Sequence, residues 1–353
     1  MNAVQSSNAQ KLRRAVKLVQ GAVRARSIGA SRSGPIVPLS HADALAQNGF
    51  TVFRGVIPEA ECAEVAARFK AAAGIVEGEH FTRTDATNKI PVTREILFDK
   101  RILAAVHEAM GDDVCFLQTS DLHYLHDTAG WHRDSVHRAH DNSTSADWSD
   151  RDGRYGIVKA ILYLESDNAA MGIMAGSHLS PIEIDADRVR AVERRGGHLV
   201  IDVDDEPNRR LSAEQQRIPL AWRAMPGDVL VFDQRMYHAG RRVDDGKVTK
   251  DRDAAKFTLS LVFGIDNMHS ERFYSYFRYA RRELGFRTIQ PDYLEELRQH
   301  GLLLSNGYGN YYEQHPEELR LASLRKPETM DALVAQFAAD GRAKAAKEES
   351  VQR

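Results

Sequence analysis

Between residues 114 and 264 the chain is a succession of short apolar runs broken by turn residues, and this punctuation constrains the fold more than any other feature of the 353 residues. The runs fall at 114–119, 122–126, 156–164, 171–174, 228–233 and 256–264. Many short strands in series specify a sandwich or a barrel. Two polar segments interrupt them. Residues 135–155 hold His137, Arg138, His140, Arg151 and Arg154 among Asp, Ser and Asn, and residues 180–222 mix charges with few aromatics. Polar stretches of this length in a compact domain read as lids or disordered segments, and the first is expected above a functional site.

Helical patterning flanks the strands. Residues 40–48, 58–73 and 99–110 read as helices; Pro58 suits a first turn, and Glu59 and Glu61 suit the positive end of the dipole. Phe50, Val52 and Val56 suggest a short strand between the first two. Further helices are expected at 270–284, 291–300, 315–324 and 328–346, and the tail 340–353 is charged and Ala-rich. At the other end Leu12, Ala15, Val16, Val19, Ala22 and Val23 recur at helical spacing, so 8–26 reads as a basic amphipathic helix and 27–39 as a linker. The expected organisation is therefore 1–39, a basic helix and linker, followed by one domain over 40–353, with a β core at about 112–266 and C-terminal helices at 270–346.

Charge is unevenly placed. Seven basic residues (Lys11, Arg13, Arg14, Lys17, Arg24, Arg26 and Arg32) precede Asp43, the first acidic one, and the remainder carries 41 − 50 = −9. An acidic body is not the footprint of a nucleic-acid binder. No apolar run is long enough to span a membrane. Cys62 and Cys115 alone exclude a disulfide scaffold and point to a reducing compartment. The expected location is cytoplasmic, or the mitochondrial matrix if the acid-free, Arg- and Ser-rich N-terminus is a presequence.

The sharpest local feature is Trp131-His132-Arg133-Asp134. Residues two apart on an extended backbone share a face, so His132 and Asp134 can grip one metal ion. A third ligand must come from elsewhere. His238 is the best candidate, at the far end of the buried-looking strand in Gly227-Asp228-Val229-Leu230-Val231-Phe232-Asp233-Gln234-Arg235-Met236-Tyr237-His238. Two imidazoles and one carboxylate on one face of a metal leave the opposite positions open, as in non-haem Fe(II) oxygenases. Standing alone, a His-x-Asp triplet also fits a helix cap or a surface pair. His123 and His126 are a spare set; with His132 they would suit a zinc hydrolase.

Three blocks in order resemble the phytanoyl-CoA dioxygenase family of Fe(II)/2-oxoglutarate oxygenases. The first is Gly130-Trp131-His132-Arg133-Asp134. The second is Lys159-Ala160-Ile161-Leu162-Tyr163-Leu164, then Gly172 and Gly176-Ser177-His178, with Ala175 where the family's turn carries proline. The third runs from Pro226-Gly227-Asp228 through His238-Ala239-Gly240. They span about 130–264 and leave the helical ends uncovered. The resemblance implies a double-stranded β-helix (jelly-roll, cupin-like) core of two antiparallel sheets. It implies Fe(II) held by His132, Asp134 and His238, with 2-oxoglutarate and O₂ as cosubstrates. The expected reaction oxidises a C–H bond of a small molecule and releases succinate and CO₂. The resemblance further implies that Asp134 favours hydroxylation or another oxidative outcome over halogenation, because related halogenases lack this carboxylate.

The resemblance also implies a basic residue at the start of the last barrel strand for the distal carboxylate of 2-oxoglutarate. That position is Lys256, which alternation places on one face with Thr258 and Ser260, opposite Phe257, Leu259, Leu261 and Phe263. Lysine keeps the charge but loses the bidentate fork of arginine. An exposed strand-start lysine is the competing reading, and Arg241, Arg242 or Arg252 are alternative cations. Lys159, opening its strand, is a second candidate for the cosubstrate pocket, against a snorkelling surface lysine. Gln118 is a third, against a satisfied core amide. His178 is expected to order its turn, and Trp131 to pack beside the metal or simply in the core. No substrate is singled out, and a homo-oligomer through the C-terminal helices is open. The alternatives to an oxygenase are a metal-dependent hydrolase and a non-catalytic cupin-like binding or sensor protein.

Overall fold

The computed structural model describes residues 36–125, 130–135, 146–149, 153–181, 184–244, 247–250, 256–280 and 284–316. The basic helix at 8–26, most of the linker, His126, Arg252, the helix at 328–346, the charged tail and nearly all of 315–324 lie outside them, as does most of 135–155.

Two sheets face each other. The larger has the order β1(Phe50–Phe53), β8(Val229–Asp233), β4(Ile157–Ser166), β11(Lys256–Ile265), β3(Val114–Tyr124), β2(Phe81–Thr84), with every pair antiparallel. The smaller has the order β10(Lys247–Lys250), β9(His238–Asp244), β5(Ala169–Ile173), β7(Leu220–Arg223), β6(Leu199–Ile201). Only its β6–β7 edge pair is parallel. Consecutive strands alternate between the sheets from β4 to β5 and from β7 through β8 to β9, which is the winding of a double-stranded β-helix.

The alternation of side chains explains the two apolar cores. Outward residues of the larger sheet, such as Leu162, Val229, Phe257, Leu259 and Phe263, join a cluster with Val65 and Phe69 from helix α2(Glu59–Ala73) and Ile102 and Val106 from α3(Lys100–Met110). Inward residues such as Phe50, Ile161, Leu230 and Phe232 meet Met171, Ile173 and Trp222 of the smaller sheet in a second cluster between the layers. Each such side chain contributes about 1.5–3 kcal/mol on burial. Helix α1(His41–Asn48) opens on a Ser40 cap and closes on Gly49 in the left-handed region.

Several sequence expectations change in detail. The runs at 114–119 and 122–126 are one strand, β3, kinked where Gln118 takes a φ of +59°. Three residues of β3 there oppose one of β11, so the ladder bulges between Leu261 and Phe263. Pro58 is the cap preceding α2, one position before its first turn. The strand after Gly49 stops at Phe53, short of Val56. The polar segment 180–222 is not irregular throughout: it holds helix α4(Ala186–Arg194), β6 and β7. The helix expected over 270–284 runs as α5(Met268–Ser275) and then loosens into a π-type turn at Tyr276–Ala280. Helix α6(Pro291–Gln299) carries its proline at the first turn. Among the described residues, no helix is long and apolar enough to cross a membrane.

Candidate metal centre

Backbone pairing creates the site. Segment 131–133 forms an isolated antiparallel bridge with the start of β9: His132 N donates to His238 O and His238 N to His132 O, both at 3.0 Å. Next to it, the amides of Asp134 and Ser135 both donate to Gln234 O, at 3.1 and 2.9 Å. These bonds pin the triplet to the turn between β8 and β9. His238 is therefore the first residue of β9 rather than the end of β8; β8 stops at Asp233.

The three side chains converge. One ligand atom from each of His132, Asp134 and His238 lies within 4.8 Å of the other two. Asp134 Oδ1 is 3.4 Å from His132 Nε2, and Asp134 Oδ2 is 3.5 Å from His238 Nε2. Metal–ligand bonds of about 2.1 Å at right angles put neighbouring donors about 3 Å apart, so a small contraction suffices. Each ring is oriented by its other nitrogen. His132 Nδ1 sits 2.8 Å from Gly130 O and His238 Nδ1 3.1 Å from Met236 O. An N–H at Nδ1 bonding to a carbonyl leaves the Nε2 lone pair to face the centre. Phe232 lies against the His238 ring, with centroids 4.6 Å apart. Two imidazoles and a carboxylate, so oriented, fit a ferrous ion with open positions.

The electrostatics favour the metal-binding form at two of the three candidate ligands, Asp134 and His238. Burial acts to raise the Asp134 pKa, but the Lys159 ammonium and the two imidazoles outweigh it and hold the carboxyl well below its usual range. Burial, the neighbouring His132 ring and Lys159 depress His238 and so favour its neutral, metal-binding form. For His132 burial depresses, yet Asp134 prevails and raises it.

The remaining candidates fall in different places. Lys159 stands on β4 with Nζ 2.5 Å from Asp134 Oδ2. It shares the inner face with Ile161 and Tyr163, which belong to the cluster between the sheets. Lys256 opens β11, paired with Ser166 on β4, on the same face as the buried Thr258 and Ser260. Gln118 is committed elsewhere: at the β3 kink its Nε2 donates to Asp85 Oδ1 at 3.0 Å and to Arg287 O at 2.6 Å. Arg241 is on the outward face of β9, paired with Glu193 of α4 at 2.8 Å. Arg242 has the parity of His238, and its Nε is 2.6 Å from Asp244. His178 is buried, with Nε2 3.1 Å from Ala46 O, tying its turn to α1. His123 lies beside Thr82 at 3.3 Å, and among the described residues the metal-capable group contains His132, Asp134 and His238 but not His123.

Two features carried no signal in the sequence. Trp131 packs outside the smaller sheet with Met174, Val189, Tyr237 and Ala239. Its Nε1 donates to Glu193 at 3.2 Å, beneath the Arg241 guanidinium at 4.8 Å. Glu193 thereby latches α4 to both ligand-bearing segments. Gly172, inside β5, permits this: a Cβ there would come within 2.9 Å of the Arg241 side chain and 3.3 Å of Trp131. Arg133, the residue between the ligands, turns away to donate to Ser177 O at 2.8 Å and Ser180 O at 2.7 Å. Only spatial neighbours 44 and 47 residues away reveal that role.

The family model described as phytanoyl-CoA dioxygenase matches residues 45–247. No curated protein matches the chain. Solved structures similar to it include HygX from Streptomyces hygroscopicus with nickel and 2-oxoglutarate bound, at 16% identity over 65% of this chain and 88% of that one, with a TM-score of 0.44. EctD from S. alaskensis with 2-oxoglutarate and 5-hydroxyectoine is 15% identical over 69% and 82%, with a TM-score of 0.42. The non-heme alpha ketoglutarate dependent epimerase SnoN from nogalamycin biosynthesis is 15% identical over 64% and 82%, with a TM-score of 0.42.

Proposed function

This chain belongs to the phytanoyl-CoA dioxygenase family, and from that premise we propose that it is an Fe(II)/2-oxoglutarate-dependent dioxygenase that hydroxylates a C–H bond of a small molecule. The observation that carries the reading is the convergence of His132, Asp134 and His238, from segments about a hundred residues apart in sequence, on one point between the sheets. In this reading the three side chains hold Fe(II), which when bound supplies the site for O₂ activation coupled to decarboxylation of 2-oxoglutarate.

The chain's own residues do the rest. Gly130 O and Met236 O hold the imidazoles so that Nε2 of each faces the metal. The bridge between His132 and His238 fixes their spacing before any ligand arrives. Lys256, on the inward face at the start of β11, is the cation proposed for the distal carboxylate of 2-oxoglutarate, with Thr258 and Ser260 following it on that face. Phe232 packs against the His238 ring and covers one side of the centre. The Arg133 and Arg235 guanidiniums lie over the Trp148 ring, at 4.9 and 5.7 Å, and anchor part of the segment expected to cover the site.

The test is turnover. Protein supplied with Fe(II), 2-oxoglutarate and O₂ is expected to form succinate, with oxygen consumed in step, and Asp134→Ala is expected to lower that rate by at least about a thousandfold, roughly 4 kcal/mol of transition-state stabilisation. Substrate turnover that is supported by zinc and consumes no oxygen would replace this reading with a hydrolase.

A further inference from the structure

The inner face of the larger sheet carries a lysine where a hydrocarbon would be cheaper. Lys159 is followed along β4 by Ile161 and Tyr163 of the inner apolar cluster and is paired across the ladder with Phe232. Its side chain is only 15% exposed. A buried ammonium is costly unless it is matched by negative charge. Its match is Asp134 Oδ2 at 2.5 Å, the oxygen that also lies 3.5 Å from His238 Nε2. A second carboxylate, Asp121 on β3, acts on it by charge from the same wall at longer range, without a hydrogen bond between them.

This placement alters the charge of the metal centre. Two neutral imidazoles and one carboxylate reduce a divalent ion to a net single positive charge. One ammonium in contact with that carboxylate offsets its charge at close range, with the more distant Asp121 drawing part of that compensation back. The compensation acts at short range and away from bulk water, where charge is screened least. The cosubstrate class proposed above is a dianion that chelates the metal. We infer that Lys159 is the charge-balancing residue of this metal centre, offsetting Asp134 so that the loaded site meets a dianionic chelating oxo acid with more positive charge than the three ligands alone would leave. The inference rests on the oxygenase reading and assigns Lys159 a role distinct from that of Lys256. Lys159 acts through the metal carboxylate as a positioning residue, whereas Lys256 would touch the far end of the cosubstrate.

Two probes separate these roles. Oxalate is a dianion that chelates the metal and has no distal carboxylate; 2-oxoglutarate has one. The full chain is titrated with Co(II) alone, and the Co(II)-loaded protein is then titrated with each anion, following the visible cobalt bands. The wild-type protein is expected to bind one Co(II) and both anions. Lys159→Met is expected to bind Co(II) as tightly or more tightly, because the competing ammonium is gone. It should bind both oxalate and 2-oxoglutarate about tenfold more weakly. Lys159→Arg, which keeps the charge, should restore both anions to near the wild-type affinity. Lys159→Gln serves as the neutral variant if the methionine protein fails to fold. Unchanged oxalate affinity in the neutral variant overturns the inference. So does selective loss of 2-oxoglutarate, which would make Lys159 a distal-carboxylate contact. A parallel fall in Co(II) affinity overturns it as well, by reducing Lys159 to a structural support. A wild-type chain that binds no Co(II) overturns the oxygenase reading itself.

Discussion

Inside the barrel, β1, β8, β5 and β7 turn Phe50, Val52, Phe232, Ile173 and Trp222 toward one another, whereas β3 and β11 turn Asp121, His123, Thr258 and Ser260 to the same interior. The first region is a closed apolar packing that makes its own stability. The second holds two carboxylates, a buried ammonium and hydroxyls around the His132–His238 bridge. A wall of that kind lowers folding stability unless its charges meet partners. The contrast teaches that one half of the interior supports the fold while the other gathers the charged groups of the proposed site. The candidate metal centre lies at the boundary, where Phe232 touches His238.

The strongest way to break this division is to cross it with paired mutations. His238→Ala is expected to cut succinate formation at least about a thousandfold while leaving the unfolding temperature within a few degrees. Trp222→Ala should do the reverse, costing about 3–5 kcal/mol in urea unfolding with turnover per folded molecule nearly unchanged. If His238→Ala unfolds the chain, or Trp222→Ala abolishes metal binding in folded protein, the interior is one cooperative unit and the division is wrong.

A smaller effect sharpens the polar half. Lys256→Met is expected to raise the KM for 2-oxoglutarate about tenfold with a nearly constant kcat, the loss of one charge-assisted contact. Its Co(II) and oxalate affinities should stay at the wild-type level. A kcat loss without a KM change would remove Lys256 from the cosubstrate pocket.

The apolar half was the more legible in sequence, because its information is periodic. The apolar runs of β4 and β8 and the alternation of β11 announced strands directly. β7 and β9 were missed because Leu220-Ala221-Trp222-Arg223 sits in a charge-rich segment and His238-Ala239-Gly240-Arg241 carries little apolar pattern. Their strand state comes from pairing with β5, which is tertiary information. In the polar half, His132 and Asp134 stood out through their spacing, and His238 through its distance from the Gly227 turn. Gly227 itself is conformationally required: its φ is +87°, and a Cβ would lie 1.9 Å from Ile57 O. The Lys159–Asp134 contact and the Glu193 latch were not legible, because nothing local in a sequence states which charges will face each other across a barrel.

The last and smallest effect concerns Asp121. Burial, with Asp134 and Asp85 adding to it and Lys159 and Lys89 opposing, pushes its pKa up to about 6. An unfolded chain titrates this group near 3.9, so between about pH 4 and pH 6 the folded protein holds more protons. Stability therefore falls as pH rises through that window, and above about pH 6 the whole cost of the buried charge is present. Because Asp121 is only partly buried, the cost after solvent screening is about 1–2 kcal/mol. Asp121→Asn in the metal-free protein should raise the urea stability by that amount at pH 7.5, and the gain should shrink toward zero at pH 4.5. The comparison of the two halves depends on this sign. A variant less stable than the parent at pH 7.5 would mean that Asp121 is a net stabilising partner of Lys159, and the polar wall would then be as self-sufficient as the apolar one.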